Sequence, residues 1–435
     1  MALSQSAALE QAKMMIRWRA AEKEQLDKIH AYRSGTQALP VIPSGVPAEV
    51  RRLTQMSRVN ILDLVISAVA QSLYVDGYRP ERESTNAPAW DIWQANKMDA
   101  RQTAVHRGAL SYGVSYVTVL PGDSAPVIRG YSPRRMTVVY GEDDDWPMFA
   151  LRAEPSGGEW LYRLYDDEAV YFLSGGEDSG GGLTFVETRE HDLGVCPVVR
   201  FLNRMELDGE IVSEVEPLMP IQDQIDLTTF ELLVAQHFGA FRQRYILGWT
   251  ADTEEQQIKA SASRLWTFED SPGDISVGEF AQTDLKGYLD SRESSLRHAA
   301  TISQTPAHEL IGQMINLSAE ALVAAEASQR RKIAEREMSF GESWEQTLAL
   351  AGRMQGVEVS DSAQVRWRDT ESRALAATVD ALGKMAAMLG VPVQELWEKI
   401  PGVTQQDVER WKAAVAAGDP IASLEALLSR QGNAA

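Results

Sequence analysis

The chain has 435 residues, 44% of them hydrophobic, enough for a large buried core and roughly two to four domains. Its single cysteine, Cys196, excludes an intramolecular disulfide framework and a cysteine-based zinc cluster, and fits a reducing compartment. A net charge of −20 is the opposite of what a surface gripping phosphates requires. It fits a solvated acidic surface, or one that faces nucleic acid without adhering.

Charges run through the first residues, so no cleavable signal is legible there. The apolar stretch 64–70 is far too short for a membrane span. The expectation is a soluble protein made in a cytoplasm, with no membrane contact.

Met15, Trp18, Leu26, Ile29 and Tyr32 fall at helical spacing, and Ser34-Gly35 stops that first helix. Residues 39–47 hold three prolines and predict an extended arm. A second helix is predicted over 48–73. A third, over 90–110, carries Trp93, Met98 and Val105. The period then drops to about 2. Strands are predicted at 116–120, 137–140, 148–153, 160–165, 169–173 and 185–187, separated by Gly, Pro and Asp turns, as in a meander or small β-domain. The glycine-rich 175–182 lacks the Gly-Lys-Ser/Thr and following helix of a phosphate loop, and reads as a hairpin tip.

After Val198-Val199-Arg200-Phe201 the pattern turns helical, with Pro217 and Pro220 suited to a first turn. Ile221, Ile225, Thr228, Leu232, Ala235 and Phe238 form a seam. Strand-like pieces at 244–247 and 264–268 interrupt it. A helix returns from 284 with Leu285, Leu289, Leu296 and Ala300 on one face. A loop punctuated by Pro306 and Gly312 follows, and Ser318 is an N-cap for a helix reaching Arg353, about 50 Å long. Leu322, Ile333, Phe340, Trp344 and Leu348 lie on one face of it, and Gly341 is a candidate bend. Arg330, Arg331 and Lys332 form a basic cluster. It is either a solvated face balanced by Glu326, Glu335 and Glu337, or an electrostatic contact with a neighbour or a polyanion. A connector at 354–366 leads to a helix over 371–389, shorter helices around Leu396 and Val408, and an amphipathic piece at 420–428.

No chemistry stands out. The histidines His30, His106, His191, His237, His298 and His308 lack metal-ligand spacing. A nucleophile elbow, a Walker loop and a dinucleotide fingerprint are all absent. Asp143-Asp144-Asp145 reads as an exposed turn, with loose divalent binding the alternative. No catalytic, cofactor or metal residue is assigned.

The order of elements, with several local patterns, resembles the portal proteins of tailed bacteriophages. His30-Ala31-Tyr32-Arg33-Ser34-Gly35 resembles that family's early Tyr-x-x-Gly region. Val75-Asp76-Gly77-Tyr78 with Trp90-Asp91-Ile92-Trp93-Gln94-Ala95-Asn96 resembles its Val-Asp-Gly-Phe…Trp-x-x-Asn signature. Ser111-Tyr112-Gly113-Val114-Ser115-Tyr116 and Cys196-Pro197-Val198-Val199-Arg200-Phe201-Leu202-Asn203 are similar to two more of its segments. Thr305-Pro306-x-His308-x-Leu310-x-Gly312 with Asn316-x-Ser318-x-Glu320-Ala321-Leu322 resembles its tunnel loop and the helix after it. The resemblance spans about residues 25–400.

The resemblance implies an α+β, portal-like fold. Residues 1–216 would form a mixed α/β wing. Residues 217–240 and 284–304 would be two stem helices flanking a small α/β clip at 241–283. The tunnel loop would span 305–318, the long helix 319–353, and a connector and helical crown 354–435. It implies a non-enzymatic homo-oligomeric ring, a dodecamer, at one capsid vertex of the virion, assembled in the host cytoplasm. Double-stranded DNA would pass through it. Its partners would be the major capsid and scaffolding proteins, the terminase large subunit and a head-tail adaptor, and no cofactor is implied. Thr305, Pro306, His308, Gln313 and Asn316 would meet DNA, while Arg242, Arg244, Tyr245 and Trp266 are candidates for clip docking. The rival readings are another head-tail ring or minor capsid protein, a metal-dependent nuclease, and a helical interaction module.

Overall fold

The computed structural model describes residues 2–42, 45–80, 86–142, 145–177, 182–239, 244–247, 265–268, 276–279, 284–312, 319–357, 360, 362–368, 375–400, 403 and 405–418. Helix α1 (Gln5–Ser34) is capped by Ser4, whose hydroxyl accepts from the Ala7 amide, and ends at Gly35 with φ 69°. The single helix expected over 48–73 is two, α2 (Ala48–Met56) and α3 (Leu62–Ala70). Competing acceptors cause the break. Asn60 Oδ1 takes the Leu62 and Asp63 amides, Asp226 takes that of Val59, and Gln222 takes that of Ile61. Strand β1 (Val75–Pro80) follows. The helix expected over 90–110 is likewise split into α4 (Trp90–Ala95) and α5 (Met98–Tyr112). Lys97 turns left-handed there (φ 54°), and the Asn96 amide donates to the Ile92 and Pro126 carbonyls.

The β-block comprises β2 (Val114–Leu120), β3 (Val127–Tyr131), β4 (Met136–Tyr140), β5 (Pro147–Ser156), β6 (Glu159–Tyr165), β7 (Ala169–Gly175), β8 (Thr184–Glu190) and β9 (Val198–Leu202). Strands β4 to β8 pair in sequence order as an antiparallel meander. Strand β2 lies between β3 and β9 in a second antiparallel sheet. Side-chain alternation divides the meander's two faces. Leu151, Ala153, Tyr162, Leu164, Tyr171 and Leu173 share a core with Ala8, Ala12, Met15 and Ile16 of α1. Ala150, Tyr165 and Val170 face Val114, Tyr116 and Val198 of the second sheet. The result is three layers: helix, sheet, sheet.

A 3₁₀ turn, Glu216–Leu218, carries Pro217 and leads into α6 (Met219–Gly239). Three short strands follow: β10 (Arg244–Leu247), β11 (Leu265–Phe268) and β12 (Ser276–Glu279). Strand β10 is central, parallel to β11 and antiparallel to β12. Helix α7 (Lys286–Ser303) then returns along α6. Ile221 and Ile225 from the start of α6 share a core with Leu296 and Ala299 from the end of α7, so the pair is antiparallel. After the short α8 (Ala307–Ile311), α9 (Ala319–Met354) runs 36 residues without a break. Gly341 is not a breaking point. It is where a strand comes close, because a Cβ there would lie 3.5 Å from Val365 Cγ2.

That strand, β13 (Ala363–Trp367), lies in the segment expected to be a plain connector. It pairs antiparallel with β1, Tyr78 opposite Val365. The C-terminal helices are α10 (Leu375–Leu389), α11 (Val393–Leu396) and α12 (Gln405–Gly418). Glu398 fastens them to this two-stranded sheet, accepting from Arg79 at 2.7 Å and Arg366 at 3.3 Å. The predicted piece at 420–428 lies outside the described residues. No helix among them is long and apolar enough to cross a membrane.

Candidate functional site

Helix α9 buries one stripe at nearly constant four-residue spacing: Gln329, Lys332, Arg336, Phe340, Trp344, Leu348 and Ala351. Its second half is aromatic. Trp344 meets Trp93 edge-on at 4.9 Å and Phe201 at 4.6 Å, and Phe340 stacks on His106 at 5.2 Å. The Trp344 indole donates to His106 Nε2 at 2.9 Å. That nitrogen is therefore the acceptor, and Nδ1–H donates to the Leu73 carbonyl at 3.2 Å. Complete burial pushes the His106 pKa down to about 3, against the opposing pull of the Leu73 carbonyl.

The first half of the stripe is charged. Lys332 Nζ donates to Glu214 Oε2 at 2.6 Å and to the Ser303 carbonyl at 2.9 Å. Arg336 donates to Asn203 Oδ1 at 2.7 Å and to Glu214 Oε1 at 3.1 Å. The Asn203 amide in turn donates to the Val212 carbonyl and to Glu214. Burial alone would raise the Glu214 carboxyl, but Lys332 and Arg336 outweigh it and hold the group below the usual carboxylate range. Burial also draws the Lys332 ammonium down, with Glu214 opposing. The two directions conflict over one ion pair. The carboxylate's direction decides, because it faces two cations at once.

This cluster sits under the base of a loop. Helix α7 stops at Gln304, which is left-handed (φ 55°), and the Thr305 amide donates to the Ala300 carbonyl at 3.0 Å. The buried Ser303 hydroxyl donates to Thr305 Oγ1 at 3.0 Å. Pro306 caps α8, and the Gly312 amide closes it on the His308 carbonyl. Lys332 thus ties the helix after the loop to the last residue of the helix before it. Glu214 and Asn203 tie both to the segment entering α6.

The sequence-derived candidates are placed as follows. Thr305 and Pro306 are buried at the loop base and His308 is half-buried. Gln313 and Asn316 lie outside the described residues, as does Arg242. The backbone register sets Tyr245 opposite both Trp266 and Gly278, and Arg244 opposite Leu265 and Glu279, so these candidates share one small sheet. The basic cluster is divided. Arg331 is exposed, and Arg330 pairs with Glu326 at 3.1 Å. Lys332 does not belong to a solvated face: it is 4% exposed and bound to Glu214. Asp143 and Asp144 lie outside the described residues, and among those described no His, Cys, Asp and Glu group is arranged to hold a metal. Sequence reasoning missed Glu214, Arg336 and His106. The four-residue ladder from Lys332 to Leu348 is the signal that could have found Arg336.

A family model described as phage portal protein, SPP1 Gp6-like, matches residues 19–419. The portal protein of Mycobacterium phage D29 is 26% identical over 410 residues, covering 86% of this chain and 82% of that one. The portal protein of Mycobacterium phage L5 is 25% identical over 381 residues, covering 78% and 74%. Among solved structures, a chain of the virion of a native gene transfer agent particle superposes with a TM-score of 0.51 at 14% identity, covering 86% of this chain and 99% of its own length. A chain from the neck of an empty gene transfer agent particle gives 0.50 at 14% identity, covering 84% and 94%. The family match runs from the middle of α1 to the last residues described, taking in the antiparallel helices, the loop and the long helix after it: the chain belongs to the phage portal protein family.

Proposed function

We propose that this chain assembles as a ring, a dodecamer, at one vertex of a phage capsid and serves as the conduit through which duplex DNA is packaged and ejected. Residues 1–216 are the wing, α6 and α7 the stem, 241–283 the clip, 305–318 the tunnel loop, α9 the long helix, and 354–435 the connector and helical crown. The wing faces the major capsid and scaffolding proteins. The clip, with Arg242, Arg244, Tyr245 and Trp266, docks the terminase large subunit during packaging and a head-tail adaptor afterwards. The role is mechanical rather than catalytic, and hydrolysis of nucleotide belongs to the motor that docks.

The observation that carries this reading is the antiparallel α6–α7 pair bridged by a three-stranded sheet, whose exit leads directly into a loop pinned at its base by Lys332 and Ser303. Such a loop is anchored where α7 ends. The charge supports the same role. Twelve chains of −20 each carry about −240, so a lumen lined by that excess repels phosphates and leaves duplex DNA without deep binding minima. Native mass spectrometry tests the assembly: a species at a multiple of 48.1 kDa near twelve supports it. A monomer at every concentration, with and without scaffold, would sink it.

A further inference from the structure

Helix α9 buries one stripe and leaves the opposite one open. Ala334, Met338 and Glu342 follow at four-residue spacing on that outer side, and all three are exposed. They line a groove of about 710 Å³ between residues 203–205 and β13. Its rim is apolar, with Met338 and Met205 each 69% exposed. Its charge is acidic: Glu335, Glu337, Glu342 and Glu345 line it against the single cation Arg204. Arg204 is itself paired with Glu206 at 2.9 Å. Burial raises the Glu345 carboxyl, the Val365 amide works against that rise, and the like charge of Glu342 adds to it.

Helix α2 carries the counterpart. It packs along α6 with Val50 and Thr54 buried, and Glu49 meets His237 of α6 at 3.4 Å. The opposite face holds Arg51, Arg52, Gln55 and Met56, all exposed, with Met56 at 59%. Neither arginine makes an ion pair among the described residues. Arg52 and Met56 are four residues apart, as are Met338 and Glu342, so each helix sets a methionine and a charge about 6 Å apart along its axis. The signs are opposite, and two such helices laid antiparallel match methionine to methionine and arginine to glutamate. We propose that α2 of one copy seats in the α9 groove of the next copy, antiparallel to α9, with Met56 against Met338 and Arg52 against Glu342, an inference that rests on the ring reading above. The two faces are different surfaces of one chain, so the contact is head-to-tail, and such contacts repeat by rotation until the ring closes. Methionines adapt to the facing shape and supply the apolar burial, while the charges fix the register and reject a wrong approach.

The test uses the full-length protein. Arg52→Glu and Glu342→Arg each reverse one exposed charge. Each is expected to raise the concentration at which rings form by about tenfold or more in sedimentation velocity, with melting unchanged. Combined in one chain they restore the pairing, and assembly should return to within about threefold of the parent. Met56→Cys with Met338→Cys gives a second readout that does not depend on weakening the contact. Cys196 is buried, so under a mild oxidant this pair is expected to give a ladder at multiples of 48.1 kDa on a denaturing, non-reducing gel, and either substitution alone nothing beyond a dimer. Reversals that leave the rings intact, a combination that stays unassembled, or rings of the doubly substituted protein that give no ladder would overturn this contact and leave the ring reading standing. A parent protein that stays monomeric with scaffold present would overturn both.

Discussion

Glu214 and Lys332 stand 118 positions apart in the chain and meet at 2.6 Å, both almost fully buried. Their contact, extended to Ser303 and Arg336, places the base of the loop after α7 relative to the segment entering α6. Removing one partner of a buried pair strands the other charge. Lys332→Met is therefore expected to destabilise the protein by roughly 3–5 kcal/mol. Adding Glu214→Gln to it should cost much less than the two single losses summed. Urea unfolding of the two single variants and the double measures this. Simple additivity would mean that the pair is not coupled. Hydrogen exchange at residues 304–312 should accelerate in Lys332→Met, because the Ser303 tie is gone, and Lys332→Arg should partly restore protection.

The His106–Trp344 bond makes stability depend on pH in a defined direction. The folded pKa, about 3, lies below the ordinary value of 6.5. The unfolded chain therefore takes up the proton first. Above pH 6.5 the histidine costs nothing, and as pH falls from 6.5 toward 3 it subtracts up to about 1.4 kcal/mol per unit. Glu214, held low, acts in the same sense below pH 4.5, its contribution being lost as pH falls through its folded pKa. Asp226, raised by burial, acts in the opposite sense. The window from 6.5 to 4.5 isolates the histidine from Glu214. His106→Asn should be less stable at pH 7 yet show a shallower slope across that window in urea midpoints. An unchanged slope would assign the acid sensitivity elsewhere.

Gly113 is left-handed, with φ 84°, and a Cβ there would lie 2.5 Å from Ile211 Cγ2 and 2.9 Å from the Val212 carbonyl carbon. The Asn203 amide also donates to the Gly113 carbonyl at 2.8 Å. Gly113→Ala should thus cost roughly 2 kcal/mol or more and displace the segment that carries Asn203 and Glu214. Melting temperature gives the cost, and hydrogen exchange over 203–214 gives the displacement. A variant as stable as the parent would show that the segment moves freely.

Helices α6 and α7 leave apolar side chains exposed, Leu227 at 45%, Phe238 at 37% and Leu289 at 49%. In a ring these would be covered by neighbouring copies. Leu227→Glu with Phe238→Glu should abolish the assembled species while changing the unfolding free energy of the isolated chain by no more than about 0.5 kcal/mol per site. Sedimentation velocity reads the first and urea unfolding the second. Intact rings in the double variant would remove these faces from the interface.

Much of the architecture was legible because it is local. The meander strands are separated by turn residues, and β4 to β8 pair in sequence order, so the period-2 pattern was sufficient. The apolar end of the α9 stripe was legible for the same reason. What escaped depends on distant partners. The break at 57–61 exists because Gln222 and Asp226, on α6, accept amides that a continuous helix would have used. Strands β1 and β13 are each short, and they acquire a partner only through the fold. Lys332 read as part of a basic cluster on a solvated face or an electrostatic contact, and its partner was not legible because Glu214 lies in a stretch without periodicity. The family patterns nonetheless marked structural positions: Trp93 packs on Trp344, and Asn203 accepts from Arg336.

Electron microscopy of the purified full-length protein, with class averages viewed down the symmetry axis, tests the conduit reading most directly. The expected result is a ring of about twelve subunits around an open central hole, with α9 and the loop before it lining the passage. Compact particles of 48.1 kDa that stay monomeric even with scaffolding and capsid proteins present, or rings whose centre is closed by the wing, would contradict it.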